Sequence, residues 1–157
     1  MDLSFYKGKR VFLTGHTGFK GAWMSRALVD AGAILTGYSL EPPTQPDLFS
    51  ISGVADHMTS VIGDVRDLAH LKQVFEAAQP EIVLHLAAQP IVRTSYEQPV
   101  YTYETNVMGT VIILECVRTA QAPVKSTKTR NGLGAIGKTN RWMDMIRIPT
   151  PNLARNW

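Results

Sequence analysis

Two hydrophobic periods alternate along the first 120 residues and dissolve after Arg118. Residues 10–14, RVFLT, form a short continuous apolar run leading into glycines, the pattern of a strand buried on both faces. In the next stretch Phe19, Trp23, Ala27 and Ala31 recur at helical spacing, with Ala22 and Leu28 beside them, and Gly32 is a natural stop. Residues 33–38 read as a second strand. LEPPTQPDLF, at 40–49, is excluded from regular structure because three prolines remove donors and fix φ. A third strand is expected over 58–63. Asp67 is placed to cap a helix carrying Leu68, Leu71, Val74, Phe75 and Ala78, which Pro80 stops. Residues 81–86, EIVLHL, read as a fourth strand. Pro99 opens a long helix whose apolar face is predicted to be Tyr103, Val107, Val111, Leu114 and Val117. The order β-α-β-loop-β-α-β-α implies an α/β fold: a parallel sheet of about four strands with flanking helices, followed by an irregular C-terminal tail.

The segment TGHTGFKG places Gly15, Gly18 and Gly21 between the first strand and the first helix. A glycine triplet alone is a weak signal, but this context is the one a dinucleotide site requires. One glycine permits the tight turn, one lets a pyrophosphate approach the backbone, and one allows close helix–strand packing. The helix N-terminus then directs N–H groups and partial positive charge at the phosphates, with Thr17, Phe19 and Lys20 contributing backbone groups nearby. Lys20 reads equally well as a solvated charge, and His16 reads as a loop residue with no second metal ligand near it. The end of the second strand should meet the adenosine ribose. An acidic residue there favours NAD; the chain offers Tyr38, Ser39, Leu40 and Glu41, with no carboxylate at the expected strand end itself, so NAD is the expected cofactor and NADP is not excluded. Asp64, with Val65 beside it, is placed to accept a hydrogen bond from the adenine amino group, although a turn residue is the commoner role for Asp. Leu86, Ala87 and Ala88 follow the fourth strand, where small side chains let a cofactor lie against the backbone. Asn106, inside an apolar helix, requires a hydrogen-bond partner.

Composition narrows the class. No run approaches the roughly 18 apolar residues of a membrane helix, and the N-terminus lacks a signal-peptide pattern, so a cytoplasmic protein without a membrane partner is expected. Cys116 is the single cysteine and sits in the apolar stretch VIILECV, which reads as a buried, inert thiol. The formal charge of +3 is unevenly spread. Residues 1–124 hold 9 Lys/Arg against 12 Asp/Glu, whereas residues 125–157 hold 7 Lys/Arg against Asp144 alone. Such asymmetry usually suggests a nucleic-acid-binding arm. The tail shows no aromatic interleaving among its charges, and that reading ranks last.

Taken together, TGHTGFKG (14–21), GDVRD (63–67), LHLAAQP (84–90) and NVMGT (106–110) resemble the extended short-chain dehydrogenase/reductases. GHTGFKG, GYSLEPPT (37–44) and the string from Ala87 to Thr110 are more specifically similar to the sugar-nucleotide 4,6-dehydratases that act on CDP-glucose. The resemblance covers residues 5 to about 120. It implies a Rossmann fold and an NAD-dependent lyase: hydride leaves sugar C4 for the cofactor, water is lost across C5 and C6, and hydride returns to C6. It assigns Gly15, Gly18, Gly21, Asp64, Val65, Ala87 and Ala88 to the dinucleotide, Gln89 and Arg93 toward the sugar or nicotinamide, and Asn106 to bracing the site. It also implies a nucleotide-sugar substrate and, often, a homo-oligomer.

The sequence departs from that family after Lys125. The resemblance calls for an apolar fifth strand ending in a Thr/Ser-Asp-Lys segment and for a later Tyr-x-x-x-Lys, and neither appears in the 157 residues. The codons permitted for Ser126 to Trp157, shifted by one base, allow a readout that contains Tyr-Ser-Asn-Ser-Lys followed by a family-like Ser-Gly-Ala-Glu-Leu. A small deletion near codon 125 is therefore expected to have shifted the frame, leaving residues 1–124 as an NAD(P)-binding Rossmann half-domain and 125–157 as a poorly packed tail. A chain of this kind retains a cofactor site and lacks catalytic residues. It should be inactive and, with the fourth strand's apolar edge bare, poorly soluble. The alternative is a non-catalytic NAD(P)-binding module with a basic partner-binding tail.

Overall fold

The computed structural model describes residues 2–120 and Val124, so the expectations for the tail lie outside the described residues. Four parallel strands, β1 (Arg10–Thr14), β2 (Ile34–Ser39), β3 (Thr59–Ile62) and β4 (Ile82–His85), form one sheet in the order β3-β2-β1-β4. Each lies within a residue or two of its predicted span. The order reverses between β1 and β4, the place where a parallel α/β sheet opens a crevice at the carboxyl ends of its strands.

Strand pleating sends alternate residues to opposite faces. Phe12, Tyr38 and Val83 face one core with Leu71 and Phe75 of α3 (Leu68–Ala78) and Ile113, Cys116 and Val117 of α6 (Gly109–Thr119); buried Val124 joins the same cluster. Val11, Leu13, Leu35, Ile82 and Leu84 face the other core with Leu28 of α1 (Phe19–Asp30). Helices therefore cover both faces. Burial pushes the Cys116 thiol up to about 11, consistent with an unreactive packing residue.

Three expectations are corrected. Leu48 and Phe49 are not irregular: they open a short helix, α2 (Leu48–Ile51), because the prolines end at Pro46 and the Asp47 carboxylate accepts from the Ser50 N–H at 2.8 Å. The buried face of α1 is Gly21, Ala22, Ser25 and Leu28, while Phe19 and Trp23 are exposed. The long final helix opens at Pro99 as expected but runs as α5 (Pro99–Tyr103), a π-helical turn (Glu104–Met108) and α6, and a short unpredicted helix, α4 (Val92–Glu97), precedes it. Its buried face is Thr105, Gly109, Ile113, Cys116 and Val117, whereas Tyr103, Val107 and Val111 are exposed. The wide π turn changes the register, so a stripe extrapolated at a constant 3.6 residues per turn points the wrong way.

Among the described residues no helix is long and apolar enough to cross a membrane, and no group of His, Cys, Asp and Glu is arranged to hold a metal.

Candidate dinucleotide site

A cleft of about 200 Å³ opens at the carboxyl ends of the four strands. Its lining comes from the turn after β1 (Gly15, Thr17, Gly18), the end of β2 (Tyr38, Ser39, Leu40, Glu41, Pro43), the end of β3 (Gly63, Asp64, Val65), the end of β4 (Leu86, Ala87, Ala88), and Tyr101 and Thr105 from α5 and the π turn.

The three glycines have distinct steric duties. Gly15 has φ +76°, and a Cβ there would stand 2.7 Å from the Ala87 nitrogen. A Cβ on Gly21 would lie 1.9 Å from the Gly15 carbonyl oxygen, so α1 can pack against the turn only without a side chain. At Gly18 the nearest atom would be 3.5 Å away, an ordinary contact. The protein's own packing does not demand glycine at 18. This residue caps α1 and borders the cleft, where the absent side chain leaves the backbone open to a ligand.

Hydroxyl groups tie the glycine turn to β2. The Thr17 hydroxyl donates to the Leu40 carbonyl at 2.8 Å and lies 2.8 Å from Ser39 Oγ. Thr17 has one proton and the carbonyl can only accept, so Ser39 donates to Thr17 and keeps its own lone pairs free to accept. His16 stands in the turn between β1 and α1, as its reading as a loop residue expects, and is fully buried there. Its Nε2 bonds Ser60 Oγ at 2.7 Å, its ring packs edge-on to Phe49, and the space above Gly37 is filled by it. Desolvation lowers its pKa to about 4, and its buried Nδ1 has no hydrogen-bond partner.

A directed chain of hydrogen bonds supports the opposite side. Thr110 donates to the Asn106 carbonyl at 2.7 Å, so its oxygen must accept from His85 Nε2 at 3.3 Å. Burial lowers the His85 pKa to about 4. The ring is therefore neutral at pH 7, leaving Nδ1 to accept from Thr14 Oγ1 at 2.7 Å. Thr14 in turn accepts from the Leu86 and Ala87 N–H groups, each at 3.2 Å. Every member is satisfied, and the loop after β4 is held against the end of β1.

Asn106 finds the partner it requires: its Oδ1 accepts from the Gln89 N–H at 2.7 Å and its Nδ2 donates to the Gln89 carbonyl at 3.0 Å. Gln89 turns its side chain to Thr102 Oγ1, at 2.9 Å, and to the Ile91 N–H, so that side chain serves the helix rather than the cleft. Arg93 is 87% exposed and pairs with Glu97 on its own helix.

Of the residues singled out from sequence, Gly15, Thr17, Gly18, Ser39, Asp64, Val65, Leu86, Ala87 and Ala88 line the cleft; Phe19, Lys20, Gly21, Gln89, Arg93 and Asn106 do not. Tyr101 and Thr105 were not anticipated, and Glu41, one of the four residues considered beyond the second strand, was not assigned to the site. Glu41 could have been found by extending β2 one residue, since the strand ends at Ser39 rather than Tyr38. Thr105 Oγ1 is buried without a hydrogen-bond partner beside the cleft. Arg66 bonds the Asp64 carboxylate and holds its pKa below the usual range.

Known proteins resemble this chain in sequence and fold. The profile of the GDP-mannose 4,6 dehydratase family matches residues 12–130. CDP-glucose 4,6-dehydratase of Salmonella typhimurium is 57% identical over 118 residues, covering 75% of this chain and 33% of that protein. A probable UDP-glucuronate 4-epimerase of Rhizobium meliloti is 30% identical over 114 residues, covering 69% of this chain and 33% of the relative. UDP-glucose 4-epimerase from Brucella ovis, solved in complex with NAD, superimposes with a TM-score of 0.61 at 28% identity, covering 70% of this chain and 32% of that one. The chain thus spans about a third of the length of these relatives. The parallel sheet, the glycine turn and the matched profile together establish that this chain belongs to the GDP-mannose 4,6-dehydratase family of sugar-nucleotide enzymes.

Proposed function

We propose that the cleft binds NAD and that the chain is the cofactor-binding part of a sugar-nucleotide 4,6-dehydratase acting on CDP-glucose. The observation that carries this reading is Gly18: at the N-terminus of α1 and on the wall of the cleft, it is small although the protein's own packing leaves room for a side chain. The pyrophosphate lies over residues 15–21, where the unpaired N–H groups of the first helical turn meet its charge. The ribose hydroxyls meet the free acceptor lone pairs of Ser39 and the Glu41 carboxylate. A carboxylate in this position disfavours the 2′-phosphate of NADP. The adenine amino group donates to Asp64, and the small residues Ala87 and Ala88 let the dinucleotide pass across the end of β4. Asn106 braces the loop that carries them.

When bound, NAD supplies the hydride acceptor and returns the hydride within one catalytic cycle. The Tyr-x-x-x-Lys that the family resemblance calls for does not occur among these 157 residues, which supports the reading that this stretch binds the cofactor without itself supplying the base for turnover. Titration calorimetry of the purified chain should give saturable NAD binding, weaker NADP binding and no conversion of CDP-glucose to the 4-keto-6-deoxy sugar. Loss of NAD binding would refute the site, and measurable conversion would refute the inactivity. The out-of-frame reading of 125–157 rests on the codon pattern, and sequencing the DNA across codon 125 tests it.

A further inference from the structure

Arg66 joins the two walls of the cleft at its Asp64 end. Its Nε donates to both Asp64 oxygens at 3.0 Å, its Nη2 reaches Oδ2 at 2.6 Å, and its backbone N–H reaches Oδ1 at 2.9 Å. On the other wall Nη1 lies 3.2 Å from Glu104 Oε2, and the guanidinium carbon stands 4.9 Å from the centre of the Tyr101 ring. Asp64 and Tyr101 line the cleft itself. Arg66 and Glu104 line instead a separate outer cavity, so the cation sits behind the carboxylate and leaves the cleft open to a base.

We propose that Arg66 is a positioning residue that fixes Asp64 as an anionic acceptor for the exocyclic amino group of an aminopurine, and so makes the cleft prefer adenine to a 6-oxopurine. This inference rests on the dinucleotide reading above. Three N–H groups of Arg66 share the four lone pairs of the carboxylate, the single Nε proton being split between the two oxygens, so Asp64 keeps the capacity to accept one base amino proton while Arg66 stays in place. A planar guanidinium holds both oxygens at once and so sets the plane of the carboxylate, which a single ammonium cannot do. A 6-oxopurine presents an acceptor where the site presents another, and a site built for a donor rejects its absence strongly.

The test compares NAD with nicotinamide hypoxanthine dinucleotide by titration calorimetry on the full chain. The wild-type chain should bind NAD about tenfold or more tightly than the hypoxanthine analogue, as expected for one hydrogen bond to a charged group. Arg66→Met should lower that ratio below about threefold through loss of NAD affinity, and Arg66→Lys should fall between, because charge is kept and the fork is lost. Arg118→Met, which removes a comparable surface arginine paired with Glu115 on α6, serves as the control and should leave the ratio within about twofold. A wild-type chain that binds NAD without discrimination, or an unchanged ratio in Arg66→Met, overturns the inference alone. Loss of the cooperative thermal transition in both Arg66 variants also overturns it, by assigning the residue to folding. A wild-type chain that binds neither dinucleotide overturns the cleft's reading and this inference together.

Discussion

The wall of the cleft at residues 14–21 and the wall at residues 101–110 face the same space, but they are built differently. The first is a turn whose geometry follows from missing side chains: Gly15 at positive φ beside Ala87, and Gly21 against the Gly15 carbonyl. The second is a helix whose register is reset by a π turn, with Thr105 directed inward and Asn106 paired to the backbone of Gln89. Close backbone approach that admits no Cβ shapes the first wall, and side-chain hydrogen bonds to the loop after β4 shape the second. Arg66 crosses between them through Asp64, Glu104 and Tyr101.

The sharpest way to break the comparison is to add one methyl group to each of two glycines. Gly21→Ala forces a Cβ to within 1.9 Å of a backbone oxygen and should cost more than about 3 kcal/mol, seen as loss of the cooperative melting transition. Gly18→Ala, at an open position, should cost less than about 1 kcal/mol in the same measurement. It should nevertheless weaken NAD binding about tenfold or more, because the methyl occupies the space left for the pyrophosphate. Equal destabilisation by the two would contradict the separation of packing glycines from the ligand-facing glycine.

Acid should act on both walls. His16 holds the glycine turn to Ser60, and His85 holds the loop after β4; burial lowers both to about 4 from the ordinary 6.5. The folded chain keeps both rings neutral down to about pH 4, while the unfolded chain takes up protons from about pH 6.5. Their contribution is therefore full above pH 6.5 and is lost as pH falls from 6.5 to 4, by up to about 3 kcal/mol for each histidine. Urea unfolding between pH 7.5 and 4.5 measures this loss. His16→Gln should remove about half of the slope, and an unchanged slope would show that His16 does not stay neutral in the folded chain.

A smaller effect is expected at the second wall. Asn106→Ala leaves the Gln89 N–H and carbonyl without their partner and should cost about 2 kcal/mol. Hydrogen exchange should then speed up at residues 86–91 but not at 15–21. Uniform acceleration would mean that the walls are not independent.

Much of the fold was readable from the chain itself. The apolar run at 10–14, the acid at Asp67 and the proline at Pro80 each act on near neighbours, and the strands and α3 formed where those signals placed them. Most of the site was readable for the same reason, because Gly15, Thr17, Gly18, Asp64, Ala87 and Ala88 lie where strands end. Missed were the residues whose position depends on a partner far along the chain. Trp23 looked like part of a buried stripe yet is exposed, since the close approach of Gly21 to Gly15 rotates α1 toward Ala22 and Ser25. His16 is a turn residue as expected, but its burial was not foreseen, since it depends on the room that Gly37 on the neighbouring strand leaves.

The glycine spacing, the alternating strand and helix periods, and the capping residues were sufficient for the class of fold and for the end of the sheet at which a ligand binds, because each is a short-range steric or hydrogen-bonding constraint. The inward direction of Thr105, the neutral chain from Thr14 through His85 to Thr110, and the tie from Arg66 to Glu104 came from packing α5, the π turn and α6 onto the sheet. Those contacts join residues up to 71 positions apart (Thr14 and His85), and no local pattern encodes which face of a helix will meet a partner so distant.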